Sequence, residues 1–295
     1  MSPYLWSLSQ LTRRRTADAM ELSVVRIHKA SAPVGGQPWV PVRPVIYPDK
    51  YLSQCPFILL NEESHPALSE FPIRSRKGAI AVTLVVDGSV ERTDVTDAHW
   101  RLAQGDAQFS MGGGDVVQGA TSGEVGVKML RLWLHLPPTL ELAIAHPQVV
   151  RREDAARANL GDASVLLYAG TLGPTSGPHT SPWPITVADI SLPAGKRASL
   201  ALASTERSFA YILGGDVELG RNRVPLNRGN VAWVERTVRP GGVDSLTLRA
   251  SKATRILFFS SPVFGEDELA VEVPVIGADR RTFSLEQSTD CEART

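Results

Sequence analysis

The chain has 295 residues, 43% of them hydrophobic, with 31 basic and 31 acidic side chains. That is enough apolar material for one large core or two smaller ones. A net charge near zero gives no electrostatic attraction to nucleic acid or to an anionic membrane surface, and no apolar run approaches the roughly 20 residues that span a bilayer.

The N-terminal stretch MSPYLWSLSQLTRRRTADAM places three arginines after a weakly apolar segment. A secretory signal has the opposite order. Residues 1–35 are read as a flexible or irregular segment, and no function is assigned to the first 20. Beyond it, 21 prolines and 24 glycines punctuate short apolar runs. AIAVTLVVDGSVERTD, VKMLRLWLHL, PITVADISL and FAYILGGDVELG carry branched residues at period two and read as strands. The best helical pattern is ELAIAHPQVVRREDAARANLG, interrupted by Pro147, so a short helical or irregular connector is expected near 140–161. Cys55 and Cys291 form no CxxC pair; free thiols in a reducing cytoplasm are expected, with a single disulfide as the alternative.

A weak internal repeat runs through the chain. AVTLVVDGSVERTD precedes WRLAQGDAQFSM in the first half, and FAYILGGDVELGRNRV precedes PLNRGNVAWVER in the second. Each reads as strand, glycine turn, strand, short link and a further strand. Gly88, Gly105, Gly215 and Gly229 suit turn positions of positive φ. Two ordered copies favour tandem β-barrels over one large sandwich.

CPFILLNE, FPIRSRKGAIAVT, DGSVERTD, QGDAQFSMGGGDVVQ and LRLWLHLP follow one another in an order and spacing that resemble the pirin family of the cupin superfamily. The resemblance covers about 50–150 by motif and about 160–265 by strand layout. It implies an all-β bicupin: an N-terminal cupin barrel over 36–150, a C-terminal one over 151–265, and a tail, 266–295, that could pack on the N-terminal barrel. It also implies where a metal, usually iron, would sit: two histidines one residue apart on a strand, then a histidine and a glutamate two residues apart. These positions fall on Arg74, Arg76, Gln118 and Ala120, and the residues after the second histidine on Lys77 and Gly78. Arginine has no lone pair to give and stays protonated, and two guanidinium groups repel a divalent cation. No HxH or HxxxH pair occurs among His28, His65, His99, His135, His146 and His179.

The expectation is therefore no metal cofactor, with iron or another divalent metal as the alternative. Arg74 and Arg76, two apart on a strand, would enter the first barrel with Gln118 and hold a small anion by bidentate contacts; Lys77 would turn outward. The competing reading pairs the arginines with internal acids such as Glu62, Glu63 or Glu70, or lets them reach the rim. MGGGD (111–115) reads as a turn at the barrel mouth, Trp133 as core or interface and Trp183 as a loop anchor. The function expected is a small-molecule binding or regulatory protein of the cytoplasm, with an anionic ligand, a protein partner in view and no direct contact with nucleic acid or membrane. The alternatives are a metal-dependent dioxygenase of the quercetin 2,3-dioxygenase kind and a metal-free cupin enzyme.

Overall fold

The computed structural model describes residues 19–35, 41–74, 78–93, 99–111, 117–140 and 145–263. The first 18 residues, the 266–295 tail, Cys291 and the glycines of 112–114 lie outside them. Helix is confined to single turns at Pro48–Lys50, Tyr51–Gln54 and Pro138–Leu140, and strands make up most of the rest, so the chain is all-β. Among the described residues no helix is long and apolar enough to cross a membrane.

Two compact units divide the chain. One collects 29–155 and 177–184; the other collects 156–176, 185–262 and the segment ending at His28. The irregular segment expected over 1–35 is corrected in part: Val24–Lys29 form strand β1, an edge of the second unit's larger sheet. Backbone bonds from Leu22 to Ser245 and from Glu235 to Ser23 fix its approach.

The first unit holds β2 (Val34–Gly35), β3 (Pro41–Ile46), β4 (Phe57–His65), β5 (Glu70–Arg74), β6 (Ala79–Thr93), β7 (His99–Ala103), β8 (Ala107–Met111), β9 (Val117–His135) and β10 (Ala145–Val150). The sheet order is β10-β8-β6-β9-β4-β3-β2, with β5 on β9 and β7 on β6. β6 and β9 run for 15 and 19 residues. Register shifts between Val85 and Asp87 and between Gly88 and Val90 interrupt their ladder, and such bulges bend and twist a strand. The early part of β6 carries β8; the later part carries β7. One long pair thus contributes to both walls of the barrel.

The second unit holds β11 (Ala156–Leu160), β12 (Ala163–Ala169), the small hairpin β13 (Thr171–Leu172) and β14 (Thr175–Ser176), β15 (Thr186–Leu192), β16 (Arg197–Ala203), β17 (Glu206–Gly214), β18 (Asp216–Leu219), β19 (Val224–Asn227), β20 (Asn230–Val234), β21 (Val243–Ala250) and β22 (Thr254–Pro262). Its sheets are β1-β20-β17-β22-β15-β12-β11 and β16-β21-β18-β19. β16 shows the period-two rule: Ala198, Leu200 and Leu202 are buried while Arg197, Ser199, Ala201 and Ala203 are exposed. The buried set joins Ile190, Ile212, Leu248, Ile256 and Phe258 in one apolar core. Each leucine, isoleucine or phenylalanine of this core contributes about 1.5–3 kcal/mol on burial, which makes the core, not the exposed ion pairs, the main source of stability.

The repeat read from sequence is present in the pairing. β8 pairs β6 as β20 pairs β17, β7 pairs β6 as β19 pairs β18, β4 pairs β9 as β15 pairs β22, and β5 pairs β9 as β16 pairs β21. In the second unit the counterpart of β6 is cut at Gly215. Gly88, Gly105, Gly215 and Gly229 all have positive φ, at 74°, 88°, 83° and 86°. A Cβ on Gly88 would stand 2.1 Å from the Gly126 carbonyl oxygen, so that turn excludes any side chain. The helical connector near 140–161 is a correction: Ala145–Val150 and Ala156–Leu160 are strands, paired to β8 and β12. Trp133 is core, Trp183 packs against its cluster, and Cys55 is buried in the same cluster.

Candidate functional site

Strand parity identifies the inward face of the first barrel. Phe71, Val85, Val90, Leu102, Ala120 and Met129 form one buried cluster. Phe71 stands opposite Ala120, and Ala120 opposite Arg92. Thr83 and Arg131, two positions from Val85 and Met129, share that inward face and stand opposite each other, with Gln108 on the far side of Thr83. Glu63, opposite Met129, comes from β4. A belt of polar side chains therefore crosses an otherwise apolar interior.

All of these groups are buried: Gln108 at 1% relative exposure, Arg92 and Thr83 at 3%, His65 at 7%, Glu63 at 8% and Arg131 at 9%. Arg131 Nη1 lies 3.5 Å from Glu63 Oε1, and His65 Nε2 lies 3.4 Å from Glu63 Oε2. The His65 ring stacks on Phe71 with centroids 3.5 Å apart. Arg92 donates through Nη1 to Gln108 Oε1 and through Nη2 to Thr83 Oγ1 at 3.3 Å. Its guanidinium lies over the Trp100 ring at 5.0 Å, a cation–π contact.

Among the described residues, the buried guanidinium groups of Arg92 and Arg131 both act on the Glu63 carboxylate. Burial, and then repulsion from Arg131, push the Arg92 guanidinium well below its ordinary range, while Glu63 pulls the other way. For Glu63 burial acts upward, but Arg131 and His65 outweigh it and hold the carboxyl below its usual value. Arg92 makes no ion pair with any described carboxylate. Its Nε, the Gln108 amide nitrogen and His65 Nδ1 are buried without a hydrogen-bond partner.

The second barrel is built differently. On its inward face Ser208 and Ser260 Oγ stand 2.8 Å apart, and Ser260 donates to Glu206. Burial pushes the Glu206 carboxyl up, against the bond from Ser260. The acid of one barrel is held charged and that of the other is driven toward neutrality.

The residues named from sequence are only partly placed. Arg74 ends β5 opposite Val117, and Gln118 stands opposite Ile73. The side chains of Arg74 and Gln118, and the whole of Arg76 and Lys77, lie outside the described residues. Ala120 is buried on the inward face. His65 ends β4. Glu62 and Glu63 belong to the same strand; Glu62 Oε1 meets Lys128 Nζ at 2.8 Å. Arg92 and Arg131 were missed.

The fold and its inward-facing belt define a bicupin, two antiparallel barrels in one chain. In sequence the chain is similar to pirin-like proteins. Pirin-like protein 2 of Arabidopsis thaliana is 25% identical over 217 residues, which is 72% of this chain and 66% of the relative. A crystal structure of quercetin 2,3-dioxygenase from Acinetobacter baumannii matches with a TM-score of 0.71 at 22% identity, over 83% of this chain and 88% of that one. The bacterial pirin YhhW from Escherichia coli, solved in complex with nickel(II), matches with a TM-score of 0.60 at 14% identity, over 81% of this chain and 100% of that one. At such identities the solved structures show likeness of fold. No protein-family profile matches the chain.

Proposed function

We propose that this pirin-like bicupin binds a small anionic molecule inside its first barrel and acts as a binding or regulatory protein without a cupin metal centre. The observation that carries the reading is the buried guanidinium of Arg92, which no described carboxylate pairs, beside the Arg131–Glu63 ion pair. A buried charge without a partner is costly, and an anionic ligand would supply that partner.

The residues present do not fit a divalent metal. The four positions that the resemblance marks for ligands hold Arg74, Arg76, Gln118 and Ala120. Of these only the glutamine offers a lone pair, through its carbonyl oxygen, and Ala120 offers a methyl group. Transition metals need imidazole, carboxylate or thiolate donors. Among the described residues no group of three or more His, Cys, Asp or Glu side chains gathers at one point. Glu63 and His65 are donors of the right type, but Glu63 is engaged by Arg131, and the neighbouring guanidinium groups repel a cation. Gln118, two positions from inward-facing Ala120, belongs to this reading as further lining of the same interior; Arg74 pairs with Val117, on the alternate positions of β5 and β9 from Phe71 and Ala120. It carries with it a cytoplasmic location, no direct contact with nucleic acid, and an effect relayed through a protein partner.

The test is metal content by mass spectrometry after growth with added iron, nickel, copper and manganese. The expected result is a variable trace far below one metal per chain. Stoichiometric metal, together with consumption of quercetin, would replace this reading with a metal-dependent dioxygenase.

A further inference from the structure

The segment Gly177–Pro184 follows β14 and precedes β15, both strands of the second unit, yet it belongs to the compact unit of the first barrel. Three of its residues, Pro178, Pro182 and Pro184, have no N–H to give to a sheet. Side chains fasten it. The His179 ring stacks on Phe109 with centroids 3.8 Å apart and 10° between the planes. The Gln148 amide nitrogen donates to the Thr180 carbonyl at 3.3 Å, which turns the amide oxygen toward His179, and His179 Nδ1 donates to that oxygen at 2.8 Å. Gln148 thus grips two successive residues of the segment from an exposed position on β10.

Further along the segment, Trp183 packs against a cluster that includes Cys55, Leu59, Ala79, Ala81 and Trp133. Strand parity gives that cluster its place. Ala79 and Ala81 share the inward face of Thr83 on β6, Trp133 shares that of Arg131 on β9, and Leu59 stands opposite Trp133. β4 and β6 begin here, and β9 ends here. The cluster is therefore one end of the first barrel's interior. The polar belt is the next layer in, about 7 Å away at two residues of strand rise, and the Arg131 guanidinium lies 6.0 Å from the centre of the Trp133 ring. Trp183 covers this end while itself only half-buried, and Pro182 and Pro184 on either side of it are exposed. It lies in no strand, so it can leave without breaking a ladder.

We propose that Gly177–Pro184 is a hinged lid on the first barrel: Trp183 is its plug, the grip of Gln148 on His179 and Thr180 is its latch, and release of the latch opens the interior to solutes at the end where β6 begins. The use of such a lid rests on the reading of that interior as a binding site, but its opening is measurable with no ligand present.

The experiment reads the opening through Cys55, which is 3% exposed within the Trp183 cluster. Of the two cysteines in the chain, Cys291→Ser leaves this one. Alkylation of the reduced full chain by iodoacetamide is followed by mass spectrometry at urea concentrations below the unfolding transition. A lid exposes little new surface, so labelling through it is nearly independent of urea, whereas labelling through global unfolding rises with the full denaturant slope. The expected result is a flat labelling rate that Gln148→Ala, which trims an exposed side chain, raises about tenfold, the scale of two neutral hydrogen bonds. Trp183→Ala should raise it at least as much. Labelling that climbs with the global slope in all three proteins would overturn the lid, because Cys55 is then reached only by unfolding. A flat rate that neither variant alters would also overturn it, because Cys55 is then reached by another way. Neither failure touches the anion reading, and stoichiometric metal, which would remove that reading, leaves this measurement standing.

Discussion

Glu63 is the residue on which the charge balance of the first barrel turns. It stands between Arg131 and His65, with Arg92 within its field. Glu63→Gln keeps the shape and removes the only negative charge described in the belt. It should destabilise the fold by about 3–5 kcal/mol, the usual cost of stripping a buried cation of its partner. Chemical denaturation would measure the loss. Titration gives a second prediction. His179 stacks on Phe109 at 3.8 Å and bonds Gln148 at 2.8 Å, and burial lowers its pKa to about 4 from 6.5. The unfolded chain then binds the extra proton first, so stability falls as pH drops from about 6.5 to about 4. Glu63 is also depressed in the folded state, so its contribution is present above its unfolded value of about 4.3 and is lost as pH falls below that. His179→Gln should therefore flatten the stability profile between pH 6.5 and 4.5 and leave the steeper acid loss in place. An unchanged slope in that window would refute the assignment.

At the scale of elements, glycine turns were the part of the chain most legible beforehand. Positive φ leaves a strong mark on sequence because few other residues tolerate it. Gly215 and Gly195 separate two effects that such a turn can carry. Both have positive φ, but a Cβ on Gly215 would meet the Ala253 carbonyl oxygen at 2.2 Å, whereas Gly195 has nothing within 4 Å. Gly195→Ala should cost about 1–3 kcal/mol from backbone strain alone, and Gly215→Ala clearly more; equal Tm losses would contradict this. The connector near 140–161 was illegible for the opposite reason. Its apolar spacing satisfies a helix, yet Gln148 and Val149 pair with Phe109 and Gln108, and distant strands override a weak local preference. The approach to β1 was equally hidden, since its partners lie some two hundred residues away. Met20 N donates to Asp244 Oδ1, Ser23 N to Glu235 and Val24 N to Asn222, each at 3.0 Å. Asp244→Ala removes an acceptor that also serves Thr237 and Arg239. It should make the backbone near Met20 and Glu21 cleavable in limited proteolysis well before the barrels unfold; protection equal to wild type would count against this anchoring.

For the whole molecule, the tandem architecture was readable because a repeat is written twice, and each copy confirms the other. The interior was readable only through resemblance, which pointed to four positions and away from the side chains that carry the charge. Arg131 sits in LRLWLHL, where Leu130, Leu132 and Leu134 are all buried. When both faces of a strand are covered, a charge between leucines has nowhere to go but inside, and that signal was available. Arg92, in a polar run beside a turn, gave none. A molecule with this interior should show no rise in Tm on addition of nickel(II), and a clear rise would point to donors not yet placed. The bend in β6 has a mechanical consequence. Thr83 precedes the two bulges and Arg92 follows them, and the bond between their side chains spans the angle of a single strand. Arg92 is thus a brace across a corner, and an anion seated on it would tighten that corner, converting occupancy into a set of the angle between the two walls of the barrel.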